Sequence, residues 1–213
     1  MIRILVADDH PIVRKGIIQV LKHISKTFLI TEVDNGQDAI KKAVKNEYEV
    51  IMLDISMPIV GGLDVLKQII KIKPHSKVLM LSTYNESQYI IRSMKLGASG
   101  YLTKSGAADE LETAIKKLRS GGKYLSSAVA EKIAHMFDDA DRPLHGKLTN
   151  RELEVFCLYA AGKATGDIAK KLTLSAKTVS TYRARLLEKM NLKTNYDIIK
   201  YAMQYNLIDN SEE

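Results

Sequence analysis

Three carboxylates in this chain end apolar runs. Val50-Ile51-Met52-Leu53 runs into Asp54, and Ile4-Leu5-Val6-Ala7 runs into Asp8 and Asp9. Short apolar runs of this kind, rich in β-branched residues and closed by turn residues such as Pro58, Gly61 and Gly62, predict buried parallel strands. In an open α/β sheet the carboxyl ends of the strands are where ligands bind, so the three acids are expected at one rim. Carboxylates brought together repel one another and call for a cation. Hard oxygen donors select Mg²⁺ or a similar ion. Two further strand ends add other chemistry to the same rim. Ser82 closes Val78-Leu79-Met80-Leu81, and Lys104 follows Gly100-Tyr101-Leu102-Thr103.

The elements that must position these groups are legible as a pattern. Strands are expected near 2–7, 28–33, 50–53, 78–82 and 100–102, and helices near 12–24, 36–46, 63–72, 86–96 and 108–120. This alternation predicts an α/β fold, a five-stranded parallel doubly wound sheet over residues 1–120. Residues 121–147, with Ser126-Ser127, the acidic stretch around Asp138-Asp139 and Arg142-Pro143, are expected to be a linker holding a short helix from Ala128 to Phe137. A second domain is expected over 148–213, and residues 148–209 in it show only helical patterns: about 150–161, 165–172, 176–190 and a last helix from Thr194 to near Tyr205. Thr149 with Glu152 forms a capping box for the first of them.

Composition narrows the class. The chain has 213 residues, 46% of them hydrophobic, enough for one large or two small cores. No apolar run is long enough to span a bilayer, and Ile2-Arg3-Ile4-Leu5-Val6 enters a strand without a signal-peptide pattern. A single cysteine, Cys157, excludes an intramolecular disulfide. These features lead to the expectation of a cytoplasmic protein with no membrane partner. The net charge of +7 is unevenly spread: residues 1–120 carry 18 Lys and Arg against 13 Asp and Glu, whereas residues 163–200 carry 9 against 3. A nucleic-acid footprint is therefore expected in the second segment.

That segment holds two helices joined by Thr173-Leu174-Ser175, the spacing of a helix-turn-helix. On the second helix Val179, Leu186, Leu187 and Met190 share a core-facing stripe. The opposite side presents Lys177, Ser180, Thr181, Ala184 and Arg185, short and basic enough to enter a major groove. Ser180, Thr181, Ala184 and Arg185 are expected nearest the bases, with Lys177, Thr178 and Arg183 on phosphates.

The segments LVADDHPIVRKGI, VIMLDISMPIVGGLDVL, VLMLSTYNE and GASGYLTKS, in this order and spacing, resemble the receiver domain of bacterial two-component response regulators. The stretch from Leu148 to Ala202, with LSAKTVSTYRARLLEKM its most specific part, is similar to the LuxR-type helix-turn-helix. The two together resemble the NarL/FixJ family. That resemblance implies strand order 2-1-3-4-5 and phosphorylation of Asp54 by a sensor histidine kinase. It implies Mg²⁺ held by Asp9, Asp54 and the Ser56 carbonyl, with Asp8 acting through water. Lys104 would neutralise the transferring oxygens, and Ser82 and Tyr101 would form a switch. The family further implies a homodimer formed on phosphorylation, double-stranded promoter DNA as ligand and RNA polymerase as a further partner, with no turnover of a small substrate. Small departures stand out. Asp167 replaces the usual Glu, Ser105 follows Lys104 where many receivers have proline, and Ser180 and Ala184 stand where some relatives carry base-reading lysines. A rival reading, a phosphohydrolase with an aspartate nucleophile, needs an Asp-x-Asp arrangement that Asp54-Ile55-Ser56 lacks. A second rival is a DNA-binding protein with a vestigial receiver, which the complete acidic set disfavours. His10 is expected to start the first helix ahead of Pro11 rather than to bind metal.

Overall fold

The strands lie in one parallel sheet whose central apolar runs, at 4–7, 50–54 and 78–82, are buried on both faces. The computed structural model describes residues 1–83, 87–126, 129–130, 144–205 and 207. They fall into two compact units. The first holds β1 (Ile2–Ala7), α1 (Pro11–Ile24), β2 (Phe28–Val33), α2 (Gly36–Lys45), β3 (Val50–Asp54) and α3 (Gly62–Ile72), then β4 (Val78–Ser82), α4 (Ser87–Lys95), β5 (Gly100–Thr103), α5 (Ala107–Arg119) and β6 (Tyr124–Leu125). The sheet order is β2-β1-β3-β4-β5-β6.

Register fixes the rim. Ala7 pairs with Leu53, Asp54 with Leu81, and Ser82 with Thr103. The residues that end β1, β3, β4 and β5 are therefore neighbours across the sheet, and Asp8, Asp54, Ser82 and Lys104 emerge side by side. One face of the sheet (Ile4, Val6, Met52, Leu79, Leu81, Leu102) packs on Ile17 and Leu21 of α1 and on Leu111, Ile115 and Leu118 of α5. Strand alternation turns Leu5, Ala7, Ile51, Leu53 and Met80 to the other face, and all are buried.

The sixth strand corrects the five expected. Tyr124 and Leu125 pair in parallel with Gly100 and Tyr101, inside the stretch expected to be linker. The Tyr124 amide donates to the Ser99 carbonyl at 2.9 Å, and its hydroxyl donates to Glu110 Oε2 at 2.7 Å. A two-residue strand carries no readable period, so tertiary pairing alone reveals it. The short helix expected over 128–137 lies for the most part outside the described residues.

The second unit is helical: a 3₁₀ turn (Leu144–Lys147), α6 (Asn150–Ala160), α7 (Thr165–Leu172), α8 (Ala176–Met190) and α9 (Asn195–Gln204). Its core gathers Leu153, Phe156, Ile168, Leu172, Val179, Leu186, Met190, Ile198 and Ala202. Three of these four α-helix starts have a side-chain cap. Thr149 with Glu152 and Thr194 with Asp197 form reciprocal capping boxes on α6 and α9, and the Ser175 hydroxyl accepts from the Thr178 amide to start α8. Glu152 also takes Lys189 at 2.7 Å, tying α6 to α8. The 3₁₀ turn sits at the end of the expected linker and buries His145 edge-on against Tyr201 and Tyr205. Cys157 is buried. Among the described residues no helix is long and apolar enough to cross a membrane.

Candidate functional site

At the rim of the sheet, Lys104 Nζ lies 2.8 Å from Asp8 Oδ2 and 2.8 Å from Asp54 Oδ2. Both acids are buried, and the lysine side chain is only 6% exposed. Backbone amides hold the carboxylates from the other side. The His10 N–H donates to Asp8 Oδ1 at 2.8 Å, and the Ser56 N–H donates to Asp54 Oδ1 at 3.2 Å. Asp9 is turned further out, its side chain 24% exposed, with Oδ1 2.7 Å from His10 Nδ1.

The electrostatics leave this set short of positive charge. Two unit charges ~4 Å apart repel by ~4 kcal/mol at an effective dielectric of ~20, and one lysine cannot offset three carboxylates. Burial pushes the Asp54 carboxyl up, Lys104 pulls it back, and the charge of Asp8 pushes it further; the result is about 6 instead of 3.8. Burial alone would lower the Lys104 ammonium, but the charge of Asp54 and the hydrogen bonds to Asp54 and Asp8 outweigh it, and the ammonium is held above its ordinary range. The chemistry of the donor set, three carboxylates and a turn backbone around one lysine, suits a hard divalent cation.

The loop after β3 is shaped to bring Asp54 into this position. Gly62 N–H donates to the Ile55 carbonyl at 2.8 Å, and a Cβ at Gly62 would lie 2.0 Å from the Asp54 carbonyl oxygen. Only glycine admits that approach. Ile59 in the same loop has φ 66°, a left-handed conformation rarely taken by a β-branched residue. Ser82 is fully buried, and its carbonyl accepts from the Lys104 N–H at 2.7 Å, linking the ends of β4 and β5. Tyr101, paired directly with Leu125 of the edge strand β6, is fully buried. The structure thus brings Asp8, Asp9, Asp54, Ser56, Ser82 and Lys104 to one rim, with Tyr101 inside the sheet that carries it.

Sequence reasoning missed Arg14. Its Nη1 donates to the Asp8 carbonyl at 2.7 Å and its Nε pairs with Glu32 at 3.0 Å, fixing the turn after β1. An arginine one turn into a helix that begins beside an acidic pair is the signal that could have found it.

The second unit presents a different surface. Along α8, Val179, Leu186, Leu187 and Met190 are buried, and Lys177, Ser180, Thr181, Ala184 and Arg185 are exposed. Thr178 and Arg183 are half-buried. Thr173 closes α7 in the left-handed conformation at φ 53°, and the Leu174 N–H donates back to Ala169. This turn delivers the start of α8 to the surface. The Thr181 hydroxyl donates to its own helix at Lys177 O, 3.0 Å away. Arg183 Nε donates to Asn195 Oδ1 at 2.7 Å, and its guanidinium lies 5.9 Å from the Tyr159 ring centre. This support from Asn195 and Tyr159 is not legible in the sequence, because it depends on how α8 packs against two other helices.

Comparison with known proteins matches residues 4–116 to the response regulator receiver domain and residues 146–202 to the bacterial regulatory proteins of the luxR family. Response regulator UvrY of Escherichia coli is 32% identical over 209 residues, covering 97% of this chain and 96% of the relative. Response regulator GacA of Pseudomonas aeruginosa is 32% identical over 212 residues, covering 98% and 99%. Among solved structures, RcsB from Salmonella enterica serovar Typhimurium, bound to promoter rprA in the presence of the phosphomimetic BeF3⁻, is 26% identical with a TM-score of 0.66 over 95% of this chain and 99% of that one. A structure of two RcsB dimers bound to two parallel DNAs is 27% identical, with a TM-score of 0.61 over 96% and 98%.

Proposed function

For a chain that belongs to the two-component response regulators, with a receiver domain followed by a luxR-type regulatory domain, we propose that Asp54 is the phosphoacceptor and that its phosphorylation controls binding to promoter DNA. The observation that carries this reading is the convergence of buried Asp8, Asp54 and Lys104, with Lys104 2.8 Å from both acids. A buried carboxylate held by one ammonium, at the open rim of a sheet, is a nucleophile with its charge partly compensated. With a pKa of about 6 it is mostly ionised at neutral pH.

An Asp54 oxygen attacks the phosphorus of a phosphohistidine on a sensor kinase. The P–N bond breaks, a P–O bond forms, and the histidine takes up a proton. Asp9, Asp54 and the Ser56 carbonyl would hold Mg²⁺, with Asp8 contributing through water. When bound, the ion supplies neutralisation of charge on the transferring oxygens. Lys104 does the same from the protein side and needs only to shift its ammonium from carboxylate to phosphoryl oxygen. Ser82 then donates its hydroxyl to the new phosphoryl group, and Tyr101 answers the movement of Ser82, remodelling the surface nearby.

The output is read by α8. Ser180, Thr181, Ala184 and Arg185 would approach base edges while Lys177, Thr178 and Arg183 hold phosphates. Dimerisation of the phosphorylated chain would double these contacts on a two-fold site. The receiver runs through β6 to Leu125, the segment after it serves as the connection, and 148–213 as the DNA-binding part.

The test is intact-mass measurement after incubation with acetyl phosphate. One phosphoryl group is expected with Mg²⁺, none with EDTA and none in Asp54→Ala. Labelling of Asp54→Ala to the wild-type extent would overturn the assignment. Footprinting with and without the phosphodonor tests the coupling to DNA.

A further inference from the structure

His10 occupies the N-cap position of α1, yet its side chain makes no capping hydrogen bond. Ser, Thr, Asp or Asn would be the ordinary choice there. Its ring instead lies over the acidic pocket. Nδ1 is 2.7 Å from Asp9 Oδ1, 3.5 Å from Asp8 Oδ1 and 3.8 Å from Asp54 Oδ2. Asp9 Oδ1 is nevertheless buried without a hydrogen-bond partner. The two atoms are close, and no hydrogen bond joins them. A separation of 2.7 Å is also one that two ligands of a single ion can take.

The distances support that interpretation. Ligands ~2.1 Å from a single ion lie about 3.0 Å apart when adjacent in an octahedron and about 3.4 Å apart in a tetrahedron. The separations of 2.7, 3.5 and 3.8 Å bracket those edges, and one donor atom from each of Asp8, Asp9, His10 and Asp54 falls within 4.8 Å of all the others. The backbone holds the ring in place: the His10 N–H is bonded to Asp8 Oδ1 at 2.8 Å, and Pro11 fixes the chain immediately after.

We propose that His10 Nδ1 is a further ligand of the acidic pocket, engaged by divalent transition ions that accept nitrogen and left out by Mg²⁺. The inference rests on the reading that Asp8, Asp9 and Asp54 hold a divalent ion. Mg²⁺ prefers oxygen and keeps several waters, so it gains little from an imidazole. Co²⁺ and Zn²⁺ bind imidazole readily and gain a protein ligand in place of a water. The pocket therefore ranks ions by their taste for nitrogen, and a chain with His10 is a binding site for transition ions as well as for Mg²⁺.

The experiment titrates the full-length, metal-free chain with Co²⁺ and separately with Mg²⁺ by calorimetry, recording the visible Co²⁺ spectrum in parallel. The wild type is expected to bind Co²⁺ at least roughly tenfold more tightly than Mg²⁺. His10→Ala and His10→Gln are both expected to weaken Co²⁺ by roughly tenfold, to change Mg²⁺ by less than about twofold, and to shift the Co²⁺ bands toward those of an all-oxygen site. The glutamine variant keeps a polar side chain at the helix start and guards against a folding artefact. Asp54→Ala should remove Co²⁺ from the pocket. Unchanged Co²⁺ affinity and spectrum in both His10 variants would overturn the inference and leave the pocket intact. So would Co²⁺ binding that survives Asp54→Ala, because the ion would then sit on other residues. Failure of the wild type to bind Mg²⁺ at all would instead remove the reading beneath it.

Discussion

Replacing Asp54 by asparagine should stabilise the metal-free protein, and only above acidic pH. The group titrates near 3.8 when unperturbed and at about 6 in the fold, raised chiefly by burial. That gap corresponds to about 3 kcal/mol at 1.36 kcal/mol per pH unit. Below ~3.8 the carboxyl is protonated in folded and unfolded chains alike, and the group has no effect. Between ~3.8 and ~6 the folded state binds more protons, so stability falls as pH rises. Above ~6 the full cost of the buried charge is present. Asp54→Asn resembles the protonated acid in shape, and Lys104 keeps Asp8 at 2.8 Å. The variant should match the wild type near pH 4 and exceed it by about 2–3 kcal/mol near pH 7.5 in EDTA. Urea denaturation across pH gives the difference, and hydrogen exchange in peptides covering β1, β3 and β4 assigns it to the sheet. Millimolar Mg²⁺ should reverse the order, because the ion needs the charge that asparagine lacks. A difference independent of pH, or a variant less stable throughout, would refute the reasoning.

Other expectations follow from single features. Thr173→Gly relieves a left-handed β-branched residue at the end of α7; with ~1–2 kcal/mol of strain removed and some chain entropy lost, the helical unit should gain about 0.5–1 kcal/mol in denaturant midpoint. Thr149→Ala breaks one half of the capping box on α6 and should lower its stability by ~1 kcal/mol by the same measurement. Lys177→Ala should weaken specific and random DNA together and reduce the salt slope by about one, read by fluorescence anisotropy. At Thr181 the hydroxyl is engaged by Lys177 O, leaving the methyl for a base. Thr181→Val should keep sequence preference, and Thr181→Ala should lose ~1 kcal/mol on the preferred site alone.

Most of the fold was legible because its elements are long and periodic. The five expected strands and all of the helices of the second unit sit within a few residues of where their patterns placed them. What the sequence could not express is pairing. Tyr124 and Leu125 become a strand because Gly100 and Ser99 offer free edge groups and Glu110 receives the Tyr124 hydroxyl. No property of residues 121–126 taken alone distinguishes that outcome from a turn. Arg183 is a similar case: the helix face on which it lies was legible, but its partners Asn195 and Tyr159 come from other helices.

The pocket was legible for a more specific reason. Asp8, Asp54, Ser82 and Lys104 each end a strand, and a parallel sheet in register converts that linear property into proximity. Side-chain direction is not converted in the same way. Asp9 and His10 follow Asp8 without interruption, and the alternation of a strand no longer governs them. The reading of His10 as a helix starter places its backbone correctly, at the N-cap of α1. It misses the ring, because the absence of a capping bond frees the imidazole to lie over Asp8, Asp9 and Asp54. A strand end predicts where a group arrives, and the first residues beyond it are placed by the turn and the helix start instead.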